Sequence, residues 1–251
     1  ELDAAEQTSL FLLGFGLGQS LVRKIQQRYA ADSGRVVRER PFSLIDEIVG
    51  IGFRTAEKMA RAQGLDALAP ERLRAALRFA LSELASQGST APPRDRTLYA
   101  AAVAAEVPVD AVLAQVAPMV HEQLLAEVQS CDPAGALCDA LALRDLADAE
   151  QAICAYVRAA CADPPQFDSD DPRLRRASAK LGFDLEGQQR EAVQLALSAR
   201  LLVVTGGPGT GKTTIVNAII EMFLAKRLRV LLTAPTGRAA KRLKESTGQE
   251  A

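Results

Sequence analysis

The sequence has no tryptophan, and aromatic residues make up only 4% of its 251 positions. So thin a supply argues against a broad aromatic platform on which nucleic-acid bases would stack. Cysteine is scarce as well: four residues do not make a disulfide-stapled secreted scaffold. No apolar run approaches the roughly 20 residues that a membrane helix needs. The opening stretch ELDAAEQTSL has neither the basic nor the apolar part of a signal peptide. The single histidine, His121, excludes a histidine-based catalytic triad or a His-pair metal site, and it reads as a surface or satisfied helix residue. These absences point to a reduced, cytoplasmic protein with no membrane partner. What is present is ordinary for a globular chain, 48% hydrophobic and 24% charged. The length allows one large domain or two smaller ones.

The net charge of -1 conceals a split. Residues 1–96 carry 14 Lys and Arg against 12 Asp and Glu, residues 97–171 carry 2 against 13, and residues 172–251 carry 14 against 6. An acidic middle is thus followed by a basic module. Basic segments attract polyanions such as nucleotides and nucleic acids, although charges scattered over solvated faces would give the same counts.

Two early segments resemble each other: LGFGLGQS at 13–20 and VGIGFRTA at 49–56. Each has an apolar residue, a Gly-apolar-Gly turn and then a helical stretch, predicted at 19–29 and 55–63. A helix is also expected over 42–49, so the repeated unit is helix, glycine hairpin, helix. Leucine spacing predicts a further helix over 70–87, then a loop over 88–97. The pattern is again helical over 98–129 with a break at Val107-Pro108, turn-like over 130–137, and helical over 141–162. The Pro- and Asp-rich stretch DPPQFDSDDP at 163–172 is the best boundary in the chain. Beyond it come a helix over 187–198, an apolar strand over 201–205, a helix to about 226, a second strand over 229–232 and a helix over 237–245. Alternating strands and helices with continuously apolar strands signal a buried parallel sheet. The domains expected are therefore 1–66, the hairpin region; 67–171, a helical acidic region and linker; and 172–251.

The segment from Gly206 to Thr213, GGPGTGKT, fits G-x-x-x-x-G-K-[ST] between an apolar strand and a helix. Gly207, Gly209 and Gly211 let the backbone wrap a phosphate, and the helix N-terminus adds positive potential. Lys212 can reach the outer phosphates, the Thr213 hydroxyl can ligate Mg²⁺, and Thr210 and Thr214 line the same turn. Upstream, Gln189 in LEGQQREAV can donate and accept at once, which suits the N6/N7 edge of adenine; a plain surface glutamine is the alternative. Downstream, LTAPTGRAAKRL at 232–243 opens a helix after the second strand. Its Thr233, Thr236 and helix N-terminal amides could hold a nucleic-acid phosphate, with Arg238, Lys241 and Arg242 adding charge, or the segment is a plain turn with a basic helix behind it.

Taken in order, Gln-x-x-Ala, GGPGTGKTT and TAPTGRAAKRL resemble the RecD-like branch of superfamily 1 (1B) DNA helicases. FSLIDEIVGIGFRTAEKMA is similar to the helix-hairpin-helix region ahead of the motor in the stand-alone RecD type, and LALRDLADAEQAICAYV to the helix preceding that motor. The resemblance implies an α-helical N-terminal region with tandem helix-hairpin-helix units, followed by the start of an α/β RecA-like P-loop domain with an incomplete parallel sheet. It implies an ATP- and Mg²⁺-dependent motor moving 5′→3′ on single-stranded DNA and opening duplex at single-strand/duplex junctions, as a monomer. Gln189 would read adenine, Lys212 and Thr213 would hold phosphate and Mg²⁺, and Pro235, Thr236 and Arg238 would lie against the strand.

The acidic Mg²⁺-binding motif and the second RecA-like domain of such motors do not follow Lys244, and Asp46-Glu47 reads as a helix face. The expectation is a fragment that binds nucleotide weakly and hydrolyses it poorly, because most of the charge stabilisation is missing. At the second hairpin, backbone N–H groups of Gly50, Ile51 and Gly52 could cradle a DNA phosphate, with Arg54 and Lys58 adding charge; packing or protein docking is an equal alternative. The first hairpin, with no basic residue before Arg23, reads as packing. Cys131, Cys138, Cys154 and Cys161 lack the C-x-x-C spacing of a zinc site and read as reduced, partly buried thiols. Two other functions stay open: a different P-loop ATPase, and a DNA- or protein-binding module with an inert P-loop.

Overall fold

The two glycine hairpins set the path of the first part of the chain. In the computed structural model, which describes residues 4–132, 134–162, 187–207 and 209–249, helix α1 (Ala4–Gly14) ends at a turn in which Gly16 takes φ +77°, and α2 (Gln19–Tyr29) restarts behind Gly18. After α3 (Ser33–Glu39), the stretch expected as one helix over 42–49 is a 3-10 turn (Pro41–Ser43) and the single helical turn α4 (Leu44–Glu47). Ile48 is already extended there (φ −127°, ψ 104°), and Gly50 turns the chain at φ +108°. Helix α5 (Phe53–Ala62) follows behind Gly52. Between them these elements bury Leu12, Leu17, Ile25, Val37, Leu44 and Met59 in one apolar cluster. Leu21 and Lys24 of α2 meet the second hairpin: the Lys24 ammonium donates to Val49 O at 2.9 Å. The two copies therefore pack on each other, and they do so through the helix behind the first turn.

The next cluster belongs to α6 (Pro70–Ser86) and α7 (Arg94–Ala105), with Leu77, Leu81, Leu98 and Ala101 at its centre. Phe53, the first residue of α5, stacks between Phe42 (6.1 Å) and Phe79 of α6 (5.0 Å) and so pins the start of α5 to this second core. Arg72 of α6 is buried. Its guanidinium donates to the Glu57 carboxylate of α5, to Ala67 O and to Ala105 O, the last carbonyl of α7. A buried charge is tolerated only when paired and hydrogen-bonded, and both conditions hold here. The cation also sits at the negative end of the α7 dipole. Asp46, read as a helix-face residue, accepts both prongs of the Arg78 guanidinium at 2.7 Å.

Helix does not continue to 129 as the periodicity predicts. α7 stops at Glu106, which adopts φ 54° and ψ 47°, and two short helices follow, α8 (Val109–Leu113) and α9 (Val116–His121). They are separate because Pro118 has no N–H to offer the carbonyl of residue 114. The chain then forms an antiparallel hairpin of β1 (Leu125–Cys131) and β2 (Leu137–Leu143), in register from Leu125 opposite Leu143 to Cys131 opposite Leu137. The expected turn over 130–137 is the tip of that hairpin, where the Asp132 carboxylate accepts from the N–H groups of Ala134 and Ala136. The expected helices over 141–162 are one helix, α10 (Arg144–Ala162), starting after β2 ends. Residues 125–129 and 141–143 fit a helical pattern in the sequence because short apolar runs look alike in either state. Burial of Leu125, Ala140, Leu141 and Ala142 against the helices decides for strands.

The chain divides into two units, 1–150 and 151–251. The linker expected over 163–172 lies outside the described residues. In the second unit, α11 (Gly187–Ser198) packs Val193 and Leu197 against Ile215, Ala218 and Met222 of α12 (Lys212–Ala225), and α13 (Gly237–Thr247) follows. Residues 201–205 and 229–232, expected as neighbouring parallel strands, take part in no ladder among the described residues; Val203 and Leu231 stay exposed. The helices of the expected α/β pattern are present. A ladder needs hydrogen-bonded neighbours on its flanks, and two isolated runs do not stabilise one. Among the described residues no single helix is long and apolar enough to cross a membrane.

Candidate nucleotide and nucleic-acid sites

Helix spacing explains how Gln189 comes to the glycine loop. Gln189, Val193 and Leu197 recur every fourth residue, so they share one face of α11. Val193 and Leu197 bury against α12, and that contact leaves Gln189 at the loop that starts α12. Its amide donates to Thr210 O at 3.5 Å and lies so close to Gly211 that a Cβ there would collide with it. Gly209 and Gly211 both take φ +78°, a conformation that side chains disfavour. Gly206 is required for space instead: a Cβ there would stand 2.8 Å from Thr210 Oγ1.

Lys212 is the first residue of α12. Its ammonium turns back over the loop to Gly206 O (2.6 Å) and Gly207 O (2.5 Å), and Thr210 Oγ1 donates to Gly207 O at 2.9 Å. A cavity of about 370 Å³ opens here, lined by Gln189, Gly206, Thr210 and Lys212 among others. The donor set fits a nucleotide phosphate with its metal: a mobile cation, a helix N-terminus and hard hydroxyl oxygens from Thr210, Thr213 and Thr214. Gln189, Thr210 and Lys212 are thus brought together at one loop. Thr213 lies exposed on the first turn of α12.

The downstream motif begins α13. Thr236 is its N-cap, and its hydroxyl accepts from Ala239 N at 3.3 Å. Pro235 and Arg238 are exposed beside it, and Lys241 and Arg242 extend the basic face. Asn217 on α12, a residue the motifs did not single out, donates to Ser246 O at 3.1 Å and ties the loop helix to α13.

At the second hairpin, Gly50 is essential to the turn: beyond its φ of +108°, a Cβ would sit 3.0 Å from Leu21. Gly52 caps α5 without a side chain, leaving the helix N-terminus open at the surface. Arg54 and Lys58 are exposed on adjacent turns, with the Arg54 guanidinium 6.0 Å above the Phe79 ring. Sequence reasoning missed Lys24. It reaches this hairpin from α2, and its neighbours Gln19, Ser20 and Arg23 line a surface cavity of about 330 Å³. Spacing along the chain gives no signal for that approach.

The thiols are free. Cys131, Cys154 and Cys161 are exposed, where partial burial was expected, and Cys138 is half-buried. Partial desolvation, with the Asp132, Cys131 and Asp139 charges nearby, pushes the Cys138 thiol up. His121 is exposed at the end of α9, as read from sequence.

A glycine loop with its lysine at a helix N-terminus, behind a region of glycine-hairpin helices, defines a P-loop nucleotide-binding protein with an N-terminal helix-hairpin-helix region. Similarity to known proteins narrows the class. Residues 1–91 match the family model for the ATP-dependent RecD2 DNA helicase HHH domain, and residues 189–251 match that for an AAA domain. Over 247 residues, 96% of the chain, it is 31% identical to the ATP-dependent RecD2 DNA helicase of Deinococcus radiodurans, of which it spans 34%. It is 44% identical over 86 residues to the RecBCD enzyme subunit RecD of Mycobacterium tuberculosis, 32% of the chain and 14% of that protein. The ATP-dependent DNA helicase PIF1 of Trypanosoma brucei brucei matches over 67 residues at 38% identity, 27% of the chain and 7% of that protein. The chain is therefore similar to the N-terminal region and first motor motifs of RecD-like helicases, and it spans about a third of the RecD2 relative.

Proposed function

We propose that this chain supplies the N-terminal part of an ATP-dependent DNA helicase, which moves 5′→3′ along single-stranded DNA and opens duplex at junctions. The observation that carries the reading is Gln189 seated on the glycine loop beside Lys212. In this reading residues 1–66 form the hairpin region, 67–171 a helical acidic region and linker, and 172–251 the start of the motor. Lys212 exchanges its loop carbonyls for the outer phosphates, Thr213 offers its hydroxyl to Mg²⁺, and Gly207, Gly209, Gly211, Thr210 and Thr214 surround the phosphates. Gln189 reads the adenine edge. Pro235, Thr236 and Arg238 lie against the single strand, while Gly50, Gly52, Arg54 and Lys58 hold the backbone of DNA nearer the junction. Bound ATP supplies the free energy of translocation. The protein works as a cytoplasmic monomer.

The test uses the longer protein that carries this region. Lys212→Ala should abolish unwinding of a 5′-tailed duplex while sparing most DNA affinity, because it removes charge from the phosphate site and leaves the DNA contacts in place. Retained unwinding would remove the motor assignment. Unwinding only of 3′-tailed duplex would reverse the polarity.

A further inference from the structure

The helices and hairpin after the glycine turns make a unit of their own. α7 is joined to α8 and α9 by Glu106, Val107 and Pro108, and across that turn the chain changes direction by 110°. Two helices at such an angle around a three-residue turn are a helix-turn-helix. Ahead of α7, Pro93 bridges to Ala140 of β2, and the Leu141 N–H donates to Pro92 O at 3.2 Å. The order is therefore helix α6, bridging segment, α7, turn, α8 and α9, hairpin: a winged helix-turn-helix. The turn is held rigidly, since Arg72 is fastened to Ala105 O and Arg74 of α6 donates to Gln115 and Glu122 at the far helix.

By analogy of fold alone this unit would read DNA, with α8 and α9 in the groove. Its surface chemistry is wrong for that. Beyond Arg94 and Arg96, which open α7, residues 97–143 contain no lysine or arginine and six carboxylates. Three of those are matched by arginines from neighbouring elements, Glu106 by Arg61, Glu122 by Arg74 and Glu127 by Arg94. α8 and α9 bury Val112, Val116 and Met119 and expose Val109, Leu113 and Ala117 at every fourth position, with Asp110 and Ala114 beside them. On α7, Tyr99 is 67% and Val103 59% exposed. Base reading needs Arg, Lys, Asn or Gln at the groove, and phosphate contact needs cations. The one amide on this helix pair, Gln115, accepts from Arg74.

We infer that the exposed face of α8 and α9 is a protein-docking surface, and that its partner is a protein segment bearing an apolar anchor flanked by lysine or arginine. Val109, Leu113 and Ala117 would take the anchor, and Asp110 would meet the basic flank. The same face, with Asp110 and no cation of its own, gives DNA no phosphate contact. The inference stands apart from the motor reading.

The test is titration of the full chain with three probes: a short amphipathic peptide with leucines at every fourth position and lysines between, its glutamate-for-lysine counterpart, and a short DNA duplex. Backbone amide shifts are followed by NMR. The lysine peptide should shift the amides of residues 109–117 and bind about tenfold more tightly than the glutamate peptide, an advantage that shrinks as salt rises. Leu113→Ser should weaken that binding severalfold. Asp110→Lys, an exposed change outside the core, should remove the charge preference while leaving the melting temperature unchanged. Duplex that shifts residues 109–117 would overturn the inference in favour of a nucleic-acid face. Equal binding of the two peptides, binding elsewhere, or no binding would overturn it as well.

Discussion

The first unit contains two kinds of helical turn, the glycine hairpins and the winged helix-turn-helix, and finishes them with opposite surfaces. In the glycine-hairpin pair, α5 starts at an uncapped Gly52 and presents Arg54 and Lys58 on successive turns. In the winged pair, α8 starts behind Pro108 and presents Val109 and Leu113 at the same spacing. The turns differ as well. One needs a glycine at φ +108°, where a Cβ would press on Leu21; the other places Glu106 in the left-handed region and closes with a proline. The fold fixes where a helix points, and the exposed i, i+4 side chains decide what it can hold.

The contrast is open to attack at several points. The largest effect is expected where the two arrangements are joined. Arg72→Met leaves Glu57 buried with Arg61 as its remaining partner and Ala105 O without its donor, and should cost about 3–5 kcal/mol in thermal or urea unfolding. Arg78→Ala, which removes an exposed fork on Asp46, should cost about 1 kcal/mol or less. Equal costs would mean that the buried pair is not the joint. Next come the cations of the hairpin. Arg54→Ala with Lys58→Ala should flatten the dependence of log DNA affinity on log salt by about 1.4–1.8, as loss of two phosphate contacts requires. Leu113→Ser should leave that slope unchanged, and a slope that responds to Leu113 would erase the distinction between the faces.

Smaller still is Gly50→Ala. A side chain at φ +108° facing Leu21 should destabilise the unit by about 1–2 kcal/mol and weaken DNA binding together with it. The smallest effect concerns the wing. The Cys138 thiol is pushed up, so its thiolate fraction near neutral pH is reduced, and it should alkylate more slowly than exposed Cys131. The gap should narrow as pH rises through the thiol range; mass mapping of iodoacetamide adducts reads both.

Much of this is legible in the sequence. Helices at 19–29 and 187–198 match their predicted limits, because glycine marks the start and apolar spacing marks the face. Gln189, Thr210 and Lys212 meet because the glycine loop is local and the apolar face of α11 that packs on α12 carries Gln189 to it. The wing was not legible. LAEVQSC and LCDALAL are short, and the second holds two alanines and three leucines, which favour helix in isolation. Only packing against α6 and α7 makes them strands. The Glu57–Arg72 pair was invisible for a similar reason: nothing in two charges fifteen residues apart says that both are buried. Lys24 escaped because each hairpin was read with its own helix, whereas α2 of the first copy serves the turn of the second.

The guanidinium of Arg72 has a consequence for how the molecule opens. Its hydrogen bonds end on three separate pieces of chain, a helix of the hairpin region, the loop at Ala67 and the closing carbonyl of α7. None of the three can be released without exposing a charge that the other two still hold in the dry interior. Amide exchange from α5 through α7 should therefore proceed in one step, as a single cooperative block. Strain applied at α5 would be felt at the turn that follows α7, and stiffening of that turn would reach α5 in return.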